Sequence, residues 1–257
     1  MFYELTLATA LFLLAASFFA GFVDSIAGGG GLIQLPALLI GLPKSGTAEV
    51  LGTNKLSAVF GTTTAAALYR KQIKPDPTVL LGMGIPAFLG SAAGAVLASK
   101  IPTSSMRPMV LVLLVIVAIY TWFKPDLGKY ENLRHLPKQR IQIAAFAGAV
   151  IGFYDGIFGP GTGSFLMLIL VASLGYAFIT ASAIAKVVNV ATNVGAIMIF
   201  GFNGAVIWQI GIIMGVANVS GAILGSRLAI KGGSTLVRKV FLIVTVALII
   251  KVGIDTF

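Results

Sequence analysis

Apolar residues along the chain gather into ten runs separated by short polar or glycine-rich breaks. They cover roughly 5–23, 31–42, 46–69, 77–98 and 106–123, then roughly 141–155, 163–174, 178–200, 205–227 and 236–256. Most approach the ~20 residues that cross a bilayer as helix. Two runs, 31–42 and 163–174, are only about a dozen residues long, a length that suits a half-helix or a re-entrant element. Both directly follow a cluster of glycines. The one long polar stretch, Lys124 to Arg140, reads as a linker. The run from Leu5 to Ala20 lacks a basic leader, carries Glu4 in its place and continues into a glycine cluster, so it reads as a retained span rather than a cleaved signal.

The breaks repeat. Gly21-Phe22-Val23-Asp24 followed by Gly28 to Gly31 returns as Gly152-Phe153-Tyr154-Asp155 followed by Gly159-Pro160-Gly161-Thr162-Gly163, 131 residues later. At that offset Lys55 meets Lys186 and Arg107 meets Arg238, and the segment from Gly94 to Lys100 resembles Gly221 to Arg227 after a four-residue slip. The expected organisation is a first transmembrane repeat at 1–123, a linker at 124–140 and a second repeat at 141–257. A duplicated half with broken apolar segments at matching positions points to a transporter whose site lies between the halves.

Composition fixes the solvent. With 58% hydrophobic and 10% charged residues and a mean hydropathy of +1.00, the chain is an all-α polytopic membrane protein of eight to ten spans. If all five segments of each half cross, loops on one side hold twelve basic residues and those on the other hold three, Lys44, Lys100 and Arg107. If the short segments are re-entrant, the split falls to eight against seven. The positive-inside rule selects the first arrangement, with the linker cytoplasmic and the termini outside. An odd number of spans per half makes the repeats inverted. The net charge of +10 is largely this loop bias, so no nucleic-acid partner is read from it. The absence of cysteine excludes disulfides and thiolate metal sites. No span carries a histidine, no HExxH is present and no cofactor is implied, which argues against a membrane hydrolase.

The candidate chemistry lies at the breaks. Glycine lets backbone leave helical geometry and approach a ligand closely, and the helices that follow begin with free N–H groups and a positive dipole end. Gly29, Gly30 and Gly31 in one half and Gly161, Thr162 and Gly163 in the other are thus candidate anion-binding backbone. Lys55 and Lys186 lie nine and eight residues into apolar spans, ~12 to 14 Å deep, where a charge is a functional candidate by default. Asn54 adjoins Lys55; Asn189 and Asn193 share a helical face with Lys186, and Thr62 holds the position equivalent to Asn193. Three roles stand open for Asp24 and Asp155: pairing with the lysines, capping the short helices, or taking up protons as coupling residues. Gly94 and Gly221 read as close-packing positions. His135 reads as a solvated loop residue, and Trp122, Trp208, Arg107 and Arg238 read as anchors at span ends.

Asp24-Ser25-Ile26-Ala27-Gly28-Gly29-Gly30-Gly31, Thr53-Asn54-Lys55-Leu56 and the motif from Gly152 to Phe165 together resemble the TauE/SafE family, the sulfite exporters and toluene sulfonate uptake permeases, and most closely its YfcA-type members. The resemblance covers essentially the whole chain. It implies a multi-pass inner-membrane transporter of sulfur-containing anions such as sulfite, sulfonates or thiosulfate, with the family's glycine motifs on 24–31 and 155–164 and its intramembrane Asn-Lys on Asn54-Lys55. Ala185 precedes Lys186, so the asparagine is not duplicated. The expected function is secondary transport of a small anion by alternating access, with a proton as candidate coupling ion; an anion channel or facilitative pore is the alternative.

Overall fold

Among the described residues, glycines and helix-capping residues set off eight helices, and no strand occurs. The computed structural model describes residues 6–98, 128 and 130–256. The predicted span 106–123, with Arg107 and Trp122, lies outside them. The helices are α1 (Leu7–Ala27), α2 (Gly31–Gly41), α3 (Thr47–Gln72), α4 (Pro77–Ala98), α5 (Pro137–Ile157), α6 (Thr162–Ala172), α7 (Phe178–Phe202) and α8 (Trp208–Thr256). Gly233, with φ 61° and ψ −164°, breaks α8 into two helical stretches.

Local chemistry sets these ends. The Thr6 hydroxyl accepts a hydrogen bond from the Thr9 amide at 3.2 Å and opens α1. Asp76 opens α4, its Oδ1 accepting from the Thr78 amide at 2.9 Å and the Thr78 hydroxyl at 2.6 Å. Those two bonds hold the Asp76 carboxyl below the usual carboxylate range. The linker ends earlier than the hydropathy suggested: Pro137 occupies the first helical turn and Gln139 Oε1 accepts from the Leu136 amide at 3.2 Å, so α5 begins at 137 rather than 141.

The helices of the two halves start at 7, 31, 47 and 77, and at 137, 162, 178 and 208; the second set lies 130 residues on for the first pair and 131 for the others. α1 packs along α8 and α4 along α5, while α3 and α7 meet at the centre, with α8 against α3 and α4 against α7. The first two contacts are made by glycine. A Cβ on Gly221 or Gly225 would overlap the carbonyl oxygen of Phe18 or Phe22, and a Cβ on Gly90 or Gly94 would overlap that of Ala149 or Phe153. Gly94 and Gly221 are therefore packing glycines, as expected. Their contacts pair Gly90 with Gly221 and Gly94 with Gly225 at the constant offset of 131, not through the four-residue slip. Glycines four apart share a helix face, and a local sequence match readily jumps by one turn.

The surface is apolar and the interior charged. Phe146 is 75% and Val216 63% exposed, whereas Lys186 and Asp155 are 0% and 1% exposed. Four helices, α1, α4, α7 and α8 as far as Val244, are long and apolar enough to cross a membrane. α3 has the length, at 26 residues, but carries Glu49, Lys55, Arg70 and Lys71. This is a multi-pass membrane protein whose polar groups turn inward.

Gly94→Leu should destabilise the fold by about 1–3 kcal/mol through overpacking against α5, read as a lower melting temperature in detergent. Gly84→Ala, whose Cβ would meet nothing within 4 Å, should leave that temperature unchanged or raise it.

Candidate functional site

Two helix breaks cross at the centre of the bundle. Between α1 and α2 the chain turns through Gly28 (φ 78°) and Gly29 (φ 98°), and between α5 and α6 through Gly159 (φ 90°) and Gly161 (φ 84°). A side chain at these angles is strained. The crossing is close enough that a Cβ on Gly163 would stand 2.8 Å from the Gly28 Cα.

Breaking α1 inside the protein frees its last carbonyls, and each finds a donor. Tyr69 of α3 donates its hydroxyl to the Ser25 carbonyl at 2.9 Å, Ser182 of α7 to Ile26 at 3.1 Å, and Ser164 of α6 to Ala27 at 3.0 Å. The Asp24 carbonyl accepts from the Gly28 amide at 2.9 Å and from the Lys186 ammonium. A cation at a helix C-terminus is favoured by the dipole. On the other break, the Tyr154 hydroxyl donates to the Pro160 carbonyl at 2.5 Å.

The buried charges pair across the halves. Lys55 Nζ lies 2.6 Å from Asp155 Oδ1 and Lys186 Nζ lies 3.0 Å from Asp24 Oδ2. Pairing is thus the first of the three open roles of the acids, and a local capping contact accompanies it on each side: Asp24 Oδ1 accepts from the Gly30 amide at 3.3 Å and Asp155 Oδ1 from the Thr162 hydroxyl at 2.6 Å. The site is charge-balanced, two ammoniums against two carboxylates. Gly159 is needed here for space, since a Cβ would come within 2.5 Å of Lys55 Nζ.

Between the crossing breaks lies a small cavity, about 30 Å³, room for about two water molecules. Asp24, Asp155, Lys55 and Asn54 line it, as do Gly29 to Gly31, Gly161 to Gly163, Asn189 and Asn193. Both short helices begin at this cavity, α2 at Gly31 and α6 at Thr162. Lys186 does not line it; it is fully buried behind Gly163. Asn193 Nδ2 donates to the Thr62 hydroxyl at 3.5 Å, and Asn189 Oδ1 accepts from the Thr192 hydroxyl at 3.1 Å.

Two polar lining residues escaped the sequence reading. Gln34 on α2 and Asn218 on α8 also face the cavity, joined by a 2.9 Å bond from Asn218 Nδ2 to Gln34 Oε1. Ser17 and Ser57 complete the cluster, their hydroxyls 3.1 Å apart. The available signal was an amide in the middle of an otherwise apolar run.

A family model described as sulfite exporter TauE/SafE matches residues 13–252. The chain is 39% identical over 245 residues to a "Probable membrane transporter protein ORF9" of Sinorhizobium sp, covering 95% of this chain and 92% of that one. It is 36% identical to a "Probable membrane transporter protein" of Haemophilus influenzae, over 95% of this chain and 94% of that one. It is 35% identical to the "Probable membrane transporter protein YfcA" of Escherichia coli K12, over 92% of this chain and 87% of that one. No solved structure matches the chain.

Asp155→Asn leaves Lys55 buried without a counter-charge and should cost about 3–5 kcal/mol. The double variant Lys55→Met/Asp155→Asn should recover most of that loss. Melting curves of the three purified proteins check the coupling.

Proposed function

The chain belongs to the TauE/SafE sulfite exporter family, and on that premise we propose that it carries a small anion of the sulfite, sulfonate or thiosulfate kind across the inner membrane by alternating access. The observation that carries this reading is the pair of crossed salt bridges beside two helix N-termini. Free N–H groups and a dipole at each N-terminus favour an anion. With so little free volume, an anion enters as the Lys55–Asp155 pair parts, taking the ammonium as its own partner. Asp155, whose cation the anion has taken, is the candidate acceptor of the coupling proton in this scheme. Anion entry and proton uptake become one event, and Lys186 with Asp24 forms the equivalent switch. Lys55, Asn54, Asn189 and Asn193 are the substrate-facing side chains in this scheme; Lys186 acts from behind Gly163 through its pairing with Asp24, and Asp24 and Asp155 are the coupling residues.

Each salt bridge ties one half of the chain to the other, so parting it also loosens the contact between halves. The common offset of the helix starts and the matched glycine contacts support a duplication; we read it as inverted, with a first repeat at 1–123, a cytoplasmic linker and a second repeat that begins with α5 at Pro137. Such an architecture works by rocking one repeat against the other about a fixed site.

In proteoliposomes, an inward proton gradient should drive uptake of the anion above its external concentration, and Asp155→Asn should abolish that accumulation. Flux that runs only downhill would assign a pore instead. Lys55→Ala should weaken anion binding by about 10- to 100-fold, the loss of a charged hydrogen bond, in a thermal-shift titration with sulfite, thiosulfate and alkanesulfonates. Unchanged affinity would remove Lys55 from the site.

A further inference from the structure

The cavity wall differs on its two sides. Gln34, Asn54 and Asn218 face the cavity, whereas the residues 131 positions away are Phe165, Ala185 and Ala87. Amides line both sides, but the three at the Gln34 end have no amide counterpart in the other half, just as Asn189 and Asn193 stand where the first half has Ala58 and Thr62. Gln34 anchors this end: its Nε2 donates to the Asn54 carbonyl at 3.4 Å while its Oε1 accepts from Asn218.

Two acceptors on residues that line the cavity have no hydrogen-bond partner. Asn54 Oδ1 and Asp155 Oδ2 are buried and receive no hydrogen bond, on residues only 4% and 1% exposed. Of the four charges at the site, two carboxylates and one ammonium line the cavity. Lys55 and the helix N-termini suit an oxyanion, but a bare oxyanion offers nothing to these two oxygens. Buried acceptors left unsatisfied weaken binding, so the site favours a ligand that supplies a donor.

We propose that the transported anion also carries a hydrogen-bond donor, a hydroxyl or an ammonium, close to its anionic group, and that Asn54 Oδ1 and Asp155 Oδ2 receive it. Gln34 acts as a positioning residue that holds Asn54. This rests on the anion-transport reading above and narrows its substrate class.

The test is a thermal-shift affinity series on the full chain with three sulfonates of one carbon skeleton: ethanesulfonate, 2-hydroxyethanesulfonate and 2-aminoethanesulfonate. The donor-bearing pair should bind about ten-fold tighter than ethanesulfonate, and Asn54→Ala should bring the affinity ratio between that pair and ethanesulfonate to about one, whatever its effect on the three affinities together. The better of the two identifies the donor as hydroxyl or ammonium. Equal binding of all three by the unaltered protein overturns the proposal, leaves anion transport standing and does not depend on the variant's folding. A preference that survives in Asn54→Ala overturns the assignment of the acceptor. Stabilisation by sodium over choline, lost in Asn54→Ala, overturns it in favour of a bound cation. Failure of every sulfonate, sulfite and thiosulfate to bind removes the underlying reading as well.

Discussion

A charge far from water must find its opposite at close range, and most of this structure follows from meeting that requirement twice. Taking an ion out of water costs several kcal/mol even after the protein relaxes, so Lys55 and Lys186 could not occupy their helices without Asp155 and Asp24. Those carboxylates sit at the ends of α5 and α1, next to the breaks. The breaks must therefore come to the lysines, which requires helices to stop in mid-bundle and cross. Glycine at 28, 159 and 163 makes the crossing possible by leaving room for backbone and ammonium where any side chain would intrude.

Stopping a helix inside a protein exposes carbonyls that water would otherwise satisfy. Here the residues that satisfy them come from different helices: Tyr69 from α3, Ser164 from α6, and Ser182 and Lys186 from α7. The end of α1 is therefore held by most of the central bundle. Irregular backbone, buried charge and close helix packing form one mutually dependent arrangement.

Much of this was legible in the chain. Hydropathy runs placed every described helix to within a few residues, and the lone lysines and the glycine breaks marked the site, because charge and consecutive glycine are both costly in an apolar helix. The linker's end was misplaced because Pro137 and Gln139 start a helix from polar residues that hydropathy counts as loop. Which acid pairs with which lysine was not legible: each half holds one of each, and only the crossing of the breaks decides that partners come from opposite halves. Gln34 and Asn218 were missed because a single amide in an apolar run looks the same whether it faces a cavity or joins two helices. The slipped match of Gly94 with Gly221 failed for a related reason, since sequence similarity over a few residues does not distinguish adjacent turns of one helix face.

The crossed pairing also bears on how the protein is made. Synthesis delivers Lys55 100 residues before Asp155 and Asp24 162 residues before Lys186, and N-terminal segments begin to organise first. For that interval the newly inserted segments hold two buried charges whose final partners do not yet exist. The first half is thus an assembly intermediate with its own electrostatic problem, relieved only when α5 and α7 arrive.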